Sequence, residues 1–515
     1  MTKSVFHFHS QKFNIKLLKY FEKTNIIKAV LHLLDISVYC ILEKDEKKYT
    51  LRGESMESFI EQFMGINDVV NDLVWGWPLL FLIVGTGAFV MVRTGFVPIT
   101  KFGYAMKQTF FKMFAKEQVG EGEVTAFQAV STALAAAVGT GNIAGVGTAI
   151  AIGGPGAVFW MWLAAVVGMA TKYAEVVLSI EYREKTEDGR YVGGPMYYLD
   201  TGAKKKWLAV LFAIFGTTAT FGIGNMVQSN SVADSLNTTF NIDPLITGLV
   251  LAVAVALVTI GGIKQIGRVT SVLVPFMAAV YILGGLLIIF LNIELVPAAF
   301  GVIFRDAFTG SAARGGFVGA TLTMAIRFGI ARGVFTNEAG LGSAPIAHAA
   351  ATTDHPVRQG LWGIFEVFAD TLVLCTITAL VIVMTGAWGS GEDGAALTTV
   401  AFEEGMPFGG YIVTFGLVFF AFSTLLGWSY YGERCMEYLF GAKSIVIYRL
   451  IFIPLIVVGA IGGLREVWAL ADTLNGLMAI PNLIGLLLLS PVVVRLTKNY
   501  FGKDGIYRNE KQGTD

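Results

Sequence analysis

The chain has 515 residues, of which 54% are hydrophobic and 15% charged, with a net charge of zero and a mean hydropathy of +0.64. Soluble domains carry about 25% charged residues, so this composition excludes a soluble globular protein and predicts an all-α polytopic membrane protein. The three cysteines are too dispersed for a disulfide framework and no HExxH or Cys/His spacing is present, so we expect no cofactor, no metal centre and no nucleic-acid partner.

Residues 1–55 differ from the rest of the chain. They contain ten Lys/Arg, weak periodicity and no stretch of spanning length, and no small-residue cleavage pattern follows the apolar stretch at 26–41. Residues 52–54 can be encoded by the purine-rich AGA-GGA-GAA, which resembles a ribosome-binding sequence. We therefore expect translation to start at Met56 and residues 1–55 to be a non-native or disordered extension. A genuine basic cytosolic extension is the alternative.

Eleven apolar runs reach the length of about 20 residues that a membrane-spanning helix needs. They lie at 70–95, 126–152, 156–183, 205–235, 244–263, 268–291, 321–350, 358–385, 409–434, 444–463 and 467–498. We therefore expect eleven transmembrane helices. Residues 56–125 would form a peripheral first helix with a cytoplasmic loop, and residues 499–515 a cytoplasmic tail.

Basic residues are distributed unequally between the two sets of loops. One set holds 23 Lys/Arg and the alternate set holds three. The basic set comprises 93–125, 172–206, 264–268, the region around Arg358, 434–449 and the tail from Arg495. Because basic loops stay on the cytoplasmic side, the pattern predicts a cytoplasmic C-terminus and an external N-terminus.

The second apolar run is interrupted by Gly139-Thr140-Gly141-Asn142, which we call the first break. In hydrocarbon, free backbone groups survive only where they line a cavity or where a ligand replaces the missing bonds. Amides freed at a half-helix N-terminus suit a carboxylate, and carbonyls near Ala135 and Val138 suit a hard monovalent cation such as Na⁺. The alternative is a glycine face that lets helices approach closely.

The seventh apolar run contains charged residues and glycines within TLTMAIRFGIARGVFTNEAGLGSAPIAHAA, and we call residues 335–342 the second break. Charges in the bilayer are costly and usually face a cavity or a partner. Arg332 and Glu338 could brace the break by pairing with each other or with neighbours. The candidates for solute or ion contact are Phe335, Thr336 and Asn337.

The two breaks lie five helices apart. This spacing predicts two five-helix repeats, at 126–291 and 321–498, each opening with a discontinuous helix and preceded by one added helix. Because five is odd, the second repeat must be inverted relative to the first.

Polar residues in two other helices complete a candidate pocket. Gln228 lies one turn after Asn225 on the same helix face and could bind an ammonium or carboxylate group. Ser423 and Thr424 supply oxygen ligands, and Trp428, one turn further on, could wall a small apolar side chain. Against this, buried Ser and Thr often bond their own helix backbone, and Trp commonly marks the membrane interface.

Two acids also lie inside apolar runs, Glu175 in the third and Asp370 in the eighth. Acids at such positions are rare and are either functional or paired. Each could bind a cation or a proton, and a structural bridge to a neighbouring base is the alternative.

Three strings resemble characteristic segments of the alanine or glycine:cation symporter family, also called sodium:alanine symporters: GTGNIAG (139–145), GGPMYYL (193–199) and TNEAGLGSAPIAHAA (336–350). The similarity runs from about Met56 to the C-terminal tail. It implies a leucine-transporter-type 5+5 inverted-repeat fold, coupling to Na⁺ or sometimes H⁺, and uptake of small neutral amino acids across the bacterial or archaeal inner membrane. Na⁺ would then be a coupling ion rather than a cofactor.

The resemblance also implies positions for the two kinds of ligand. The implied substrate contacts are Thr140, Gly141, Asn142, Gln228, Phe335, Thr336 and Trp428. The implied main cation site is formed by Ala135, Val138, Ser423 and Thr424, and Asn337 is a further candidate cation ligand.

The sequence therefore predicts a sodium-coupled symporter of alanine or glycine that works by alternating access in the lipid bilayer. Proton coupling through Glu175 or Asp370 is one alternative, and an uncoupled channel or amino-acid sensor is another. A membrane-embedded enzyme is disfavoured because we find no catalytic nucleophile–base pair or metal motif.

Overall fold

The computed structural model of the chain describes residues 63–113, 120–311, 319–462, 465–502 and 505–508. The predicted start at Met56 and the predicted extension at 1–55 lie outside these described residues. The described residues from Met64 onwards belong to one compact unit.

The described residues are almost entirely helical, as the hydropathy pattern predicts. The first half contains α1 (63–74), α2 (Trp77–Arg93), α3 (Val97–Thr100), α4 (Phe102–Gln108), α5 (Ala126–Ala137), α6 (Val146–Gly153), α7 (Ala157–Glu181), α8 (Pro195–Tyr197), α9 (Lys206–Phe221), α10 (Val227–Phe240), α11 (Pro244–Thr259), α12 (Gly262–Leu291) and α13 (Val296–Thr309). The second half contains α14 (Leu322–Asn337), α15 (Ala344–His348), α16 (Pro356–Val367), α17 (Thr376–Thr385), α18 (Gly394–Gly405), α19 (Gly409–Phe440), α20 (Ser444–Ile461) and α21 (Arg465–Phe501).

Short elements join or interrupt these helices. The 3₁₀ turns are Phe110–Lys112, Ile293–Leu295 and Ala387–Gly389, and the π-helical turns are Gly141–Gly145, Tyr198–Gly202, Gly222–Met226 and Phe368–Cys375. Strand β1 (Glu184–Lys185) pairs antiparallel with β2 (Tyr191–Val192), so that Glu184 lies opposite Val192.

The helices have the length and surface of membrane spans. In the described part of the chain, eight helices are long and apolar enough to cross a membrane, and one bent pair adds a ninth candidate. Only 28% of the most apolar 18-residue stretch of α12 is buried inside the protein. Leu283 and Phe290 in this helix are 66% and 73% exposed. A large exposed apolar surface marks contact with lipid, so the polytopic membrane class is confirmed.

The first break is present where the glycines predict it. Helix α5 ends at Ala137, the helical path resumes at Gly141, and the two halves differ in direction by 52°. Val138 between them is extended, with φ −74° and ψ 93°. The resumed helix opens with a π-helical turn, a feature that often marks functional sites.

The second break is equally sharp. Helix α14 ends at Asn337, and the next residues turn through left-handed conformations at Glu338 (φ 56°), Gly340 (φ 94°) and Gly342 (φ 82°). Glycine adopts this region without steric cost, whereas a glutamate there is uncommon. The predicted run at 321–350 is therefore two helical pieces, and the first of them packs along α7.

Two π-helical turns interrupt spans that the sequence predicts as regular. Gly222–Met226 joins α9 to α10 immediately before Gln228, and Phe368–Cys375 joins α16 to α17 and contains Asp370. Periodicity does not reveal such turns, because one extra residue per turn hardly alters the hydropathy of a long apolar run.

Candidate functional site

The two breaks meet at the centre of the protein. A Cβ placed on Gly141 would lie 3.1 Å from the Cβ and 3.2 Å from the Cα of Thr336. Separations this short are tighter than ordinary van der Waals contact, so a side chain at position 141 would push Thr336 away and glycine allows the closer approach of the two breaks.

A small cavity lies beside this contact. Its lining residues are Ala136, Ala137, Gly139, Thr140, Gly141, Ile223, Gln228, Phe335, Glu338, Thr424, Trp428 and Asn475. The lining includes five of the predicted substrate residues, and the two that it lacks are Asn142 and Thr336. The cavity measures about 20 Å³, which is room for roughly one water molecule, so the structure describes a form closed around this site.

Gln228 brings an unsatisfied acceptor into this region. Its Nε2 donates to the carbonyl of Ile223 at 2.9 Å, whereas its Oε1 is buried and has no hydrogen-bond partner in the described part of the chain. A buried acceptor without a partner costs about 1–3 kcal/mol. A ligand carrying N–H donors would recover that free energy.

Trp428 forms one wall of the cavity and is held in place. The side chain is 3% exposed, and its Nε1 donates to Oε1 of Glu338 at 3.0 Å. Glu338 also accepts from Ser343 Oγ at 2.5 Å. Trp428 can pack closely against the π-helical turn Gly222–Met226 because residue 224 is a glycine. A Cβ at that position would lie only 2.3 Å from the Trp428 Cβ. Trp428 therefore lies inside the protein, and the interfacial-belt alternative is excluded.

Arg332 and Glu338 do not pair with each other. The Arg332 guanidinium lies 5.5 Å from the centre of the Phe335 ring, and Glu338 is bound to Trp428 and Ser343. The sequence left open whether Arg332 and Glu338 pair with each other or with neighbouring residues, and the structure shows contacts with neighbouring residues.

The candidate cation ligands on α19 face the first break. Ser423 Oγ lies 3.1 Å from the Ala135 carbonyl oxygen, and a Cβ on Gly139 would lie 2.5 Å from Thr424 Oγ1. Both hydroxyls also donate to the Phe420 carbonyl of their own helix. Ser423 and Thr424 therefore both lie against the first break, at Ala135 and Gly139 respectively, and Val138 lies between these two residues in sequence.

Asn337 belongs to a different group. Its Nδ2 donates to Thr371 Oγ1 at 3.1 Å and its Oδ1 accepts from the amide of Ala339 at 2.9 Å. Thr371 in turn donates to Asp370. The structure therefore separates Asn337 from the Ser423 group and joins it to Asp370.

Asp370 is the common partner of both breaks. Its Oδ1 accepts from Asn142 Nδ2 at 2.7 Å and from Thr336 Oγ1 at 3.2 Å, and its Oδ2 accepts from Thr371 Oγ1 at 2.7 Å. Asn142 Oδ1 accepts from the Gly139 amide at 3.0 Å. The side chains of Asn142 and Thr336 thus bind Asp370. Within the described residues Asp370 forms no ion pair with a base, so the alternative of a structural bridge to a base is not seen there.

A buried ion pair that the sequence analysis missed lies in α7. Lys172, counted above among loop bases, is fully buried, so that assignment was wrong. Its Nζ lies 3.2 Å from Glu366 Oε1, outside hydrogen-bond geometry. Glu366 Oε2 is 3.1 Å from His348 Nε2, and His348 Nδ1 is 2.8 Å from Gln359 Nε2. The sequence feature that could have indicated a buried ion pair was a lysine three residues before Glu175 within one apolar run.

Glu175 ties the second break to two other helices. Its Oε1 accepts from the amide of Gly340 at 3.0 Å and from Asn482 Nδ2 at 2.6 Å, and Asn482 also donates to the Gly340 carbonyl at 2.8 Å. Helices α7, α21 and the break are thereby joined, so Glu175 has a structural role at this position.

A larger cavity leads away from the small one. It measures about 770 Å³, and Thr140 and Phe335 line both cavities and so separate them. The charged residues of the larger cavity are Asp68, Asp234, Arg332, Glu392 and Asp472. Because acids outnumber bases, its electrostatic potential attracts cations.

Comparisons with known proteins show the family to which the chain belongs. The model of the sodium:alanine symporter family matches residues 60–513. The sodium/alanine symporter AgcS of Methanococcus maripaludis is 55% identical over 446 residues, which are 85% of this chain and 97% of that protein. An uncharacterized transporter of Haemophilus influenzae is 49% identical over 440 residues, 85% of this chain and 96% of that protein.

A solved structure shares the fold. The crystal structure of MhsT in complex with L-phenylalanine superposes with a TM-score of 0.52 at 13% identity, covering 73% of this chain and 98% of that one. The helical transporter fold and the predicted family are both confirmed. The chain therefore belongs to the sodium:alanine symporter family and is a membrane transporter rather than an enzyme.

Proposed function

We propose that this protein couples the inward movement of Na⁺ to the uptake of alanine or glycine across the bacterial inner membrane. The observation that carries the proposal is the contact of the two breaks beside a small closed cavity that contains the unpartnered Gln228 Oε1. The name of the 55% identical relative, a sodium/alanine symporter, supports both the substrate and the ion.

The substrate would bind as a zwitterion at the position of the small cavity, which would have to widen to admit it. Amides at the start of the second half-helix, from Gly141 onwards, suit its carboxylate, and Gln228 Oε1 accepts from its ammonium group. Phe335 and Trp428 enclose the side chain, and Thr140 adds a hydroxyl. Asn142 and Thr336 belong to the predicted substrate set. Their side chains would instead hold the two breaks together by donating hydrogen bonds to Asp370.

The main coupling ion would bind where α19 meets the first break. Carbonyl and hydroxyl oxygens are ligands that hard cations accept, and Ala135, Val138, Ser423 and Thr424 supply them. The ion would order the break that also binds the substrate carboxylate. Cation and substrate would therefore raise each other's affinity by the same factor.

The architecture we propose is eleven transmembrane helices, with 126–291 and 321–498 as inverted five-helix repeats after one added helix. Two discontinuous helices that meet at the centre are what such repeats produce. With the N-terminus outside and the C-terminus in the cytoplasm, the larger cavity opens to the outside. Alternating access would then move substrate from that cavity past Thr140 and Phe335.

The direct test is accumulation of radiolabelled alanine by the purified protein in liposomes under an imposed Na⁺ gradient. We expect accumulation that depends on Na⁺ and that unlabelled glycine competes for. Accumulation that follows a pH gradient without Na⁺ would instead assign H⁺ as the coupling ion. Equilibration without accumulation would indicate an uncoupled channel or sensor and contradict the proposal.

Replacement of Trp428 by Ala is expected to widen the substrate range. The change removes the ring that limits the cavity, so valine and leucine should compete with alanine for uptake by the variant, whereas we expect the wild type to exclude them. Trp428→Phe is the matched control, because it keeps a ring but loses the N–H bound to Glu338. If the Ala and Phe variants show the same broadened profile, the ring does not select by size.

A further inference from the structure

We propose that Asn475 on α21 is a further substrate-binding residue, and that its side-chain oxygen accepts from the ammonium group of the substrate together with Gln228. Asn475 lies outside the two breaks and outside α10 and α19, the helices that carry Gln228 and Trp428. The inference rests on the proposed function in one respect, since the ligand is taken to be a small amino acid.

The free acceptors in the wall of the small cavity are the first argument. Three of its lining residues carry a side-chain carbonyl or carboxylate oxygen: Gln228, Glu338 and Asn475. Both carboxylate oxygens of Glu338 are occupied, one by Trp428 Nε1 and the other by Ser343 Oγ. Asn475 Oδ1, like Gln228 Oε1, is buried and has no hydrogen-bond partner among the described residues. The wall therefore offers two free acceptors of this kind, and both are amide oxygens.

The burial of Asn475 is the second argument. The residue is 1% exposed. A buried amide oxygen without a partner destabilises the folded protein, and native proteins contain few such groups. A leucine has a similar size and shape and would avoid this cost. The amide is therefore best explained by a ligand that donates to it when the site is occupied.

The third argument is that one π-helical turn, Gly222–Met226, positions both amides. The Ile223 carbonyl of this turn accepts from Gln228 Nε2 at 2.9 Å, so Nε2 is held and Oε1 is left for another donor. The turn packs against α21 through its first residue, a glycine, where a Cβ would lie 2.3 Å from the Cβ of Ala471. Ala471 stands one helical turn before Asn475, on the same face of α21. The two amides therefore lie on opposite sides of the same turn.

The two acceptors suit one end of an amino acid. The cavity that both residues line measures about 20 Å³, so one small group placed there can meet both oxygens. A primary ammonium has three N–H donors and can donate to both at once, whereas a carboxylate has none. The amides from Gly141 onwards have the opposite character, because they donate and suit a carboxylate. The site thus has an acceptor side for the ammonium group and a donor side for the carboxylate.

The pair of acceptors also defines the class of substrate, which is a carboxylate compound with at least two N–H donors on its ammonium group. N,N-dimethylglycine has one N–H and can satisfy only one of the two oxygens. We expect it to compete at least about tenfold less well than glycine for alanine uptake by the wild type. Equal competition by the two compounds would overturn the proposal.

The main test compares wild type, Asn475→Leu and Asn475→Asp in Na⁺-driven alanine uptake. Asn475→Leu keeps the approximate volume and removes the acceptor, so KM should rise about 10- to 150-fold at an unchanged maximal rate. Asn475→Asp is the matched control, because it keeps an oxygen at the same position and should retain most of the affinity. An unchanged KM in Asn475→Leu would overturn the proposal. An equal rise in both variants would also overturn it, because the amide would then act through its N–H group.

A second measurement separates binding from folding and needs no transport. Because Asn475 Oδ1 has no partner among the described residues, ligand-free Asn475→Leu should melt at or above the temperature of the wild type. Alanine should raise the melting temperature of the wild type more than that of this variant. A ligand-free variant that melts well below the wild type would assign the amide a structural role and overturn the proposal. Should the wild type not accumulate alanine at all, the proposed function fails, while the weaker stabilisation of Asn475→Leu by alanine would still support the binding role.

Discussion

Replacement of Gln228 by Met is expected to raise the KM for alanine uptake about 10- to 150-fold, since a hydrogen bond to a charged group contributes about 1.5–3 kcal/mol. The reason is the buried Oε1, which has no partner among the residues that the structure describes and lies near the first break, 3.6 Å from a Cβ on Gly139. Initial rates of Na⁺-driven uptake at increasing alanine concentration measure the effect.

The matched control is Gln228→Glu, which keeps an acceptor at the same distance along the side chain and should lose much less affinity than Gln228→Met. Lactate separates the roles further, because it carries the carboxylate of alanine but no ammonium group. Competition by lactate should be the same for wild type and Gln228→Met. An equal loss for lactate and alanine would show that Gln228 does not bind the ammonium group.

Replacement of Lys172 by Met is expected to be the most destabilising single change in the helical core, at about 3–5 kcal/mol. Lys172 Nζ lies 3.2 Å from Glu366 Oε1, and both side chains are fully buried. Removal of the lysine leaves the Glu366 carboxylate in a low-dielectric interior without its permanent counter-charge, since His348, 3.1 Å away, is charged only when protonated. The melting temperature of the purified protein, followed by loss of its monodisperse peak, measures the effect.

The double variant Lys172→Met/Glu366→Gln tests the cause. It removes both charges, so its melting temperature should lie well above that of Lys172→Met alone. Lys205→Met, at an exposed position, should leave the melting temperature unchanged. A double variant no more stable than Lys172→Met would mean that the lysine contributes through packing rather than through its charge.

Much of the site could be predicted where its cause is local. The first break follows from glycines within an apolar run, and the left-handed turn at the second break follows from Gly340 and Gly342, because backbone conformation depends on adjacent residues. Gln228 and Trp428 were also found, since a polar or aromatic group within a spanning helix must face the protein interior or the interface.

Other parts of the site could not be predicted because they join residues that are remote in sequence. The family resemblance implies Asn142 as a substrate contact, and the structure adds a contact of its amide with Asp370 that no local pattern indicates. Lys172 was counted with the loops because the basic loop was taken to begin at residue 172, inside the apolar run 156–183, yet it pairs with Glu366 inside the protein.

The sequence by itself determined the membrane class, the two breaks and the family, because apolar length, glycine conformation and continuous motifs are properties of neighbouring residues. Only the tertiary structure decided which buried groups pair. Asp370 meets Asn142 and Thr336, and Trp428 meets Glu338. The physical reason is that helical periodicity specifies which face a side chain occupies, whereas its partner depends on how distant helices pack against that face.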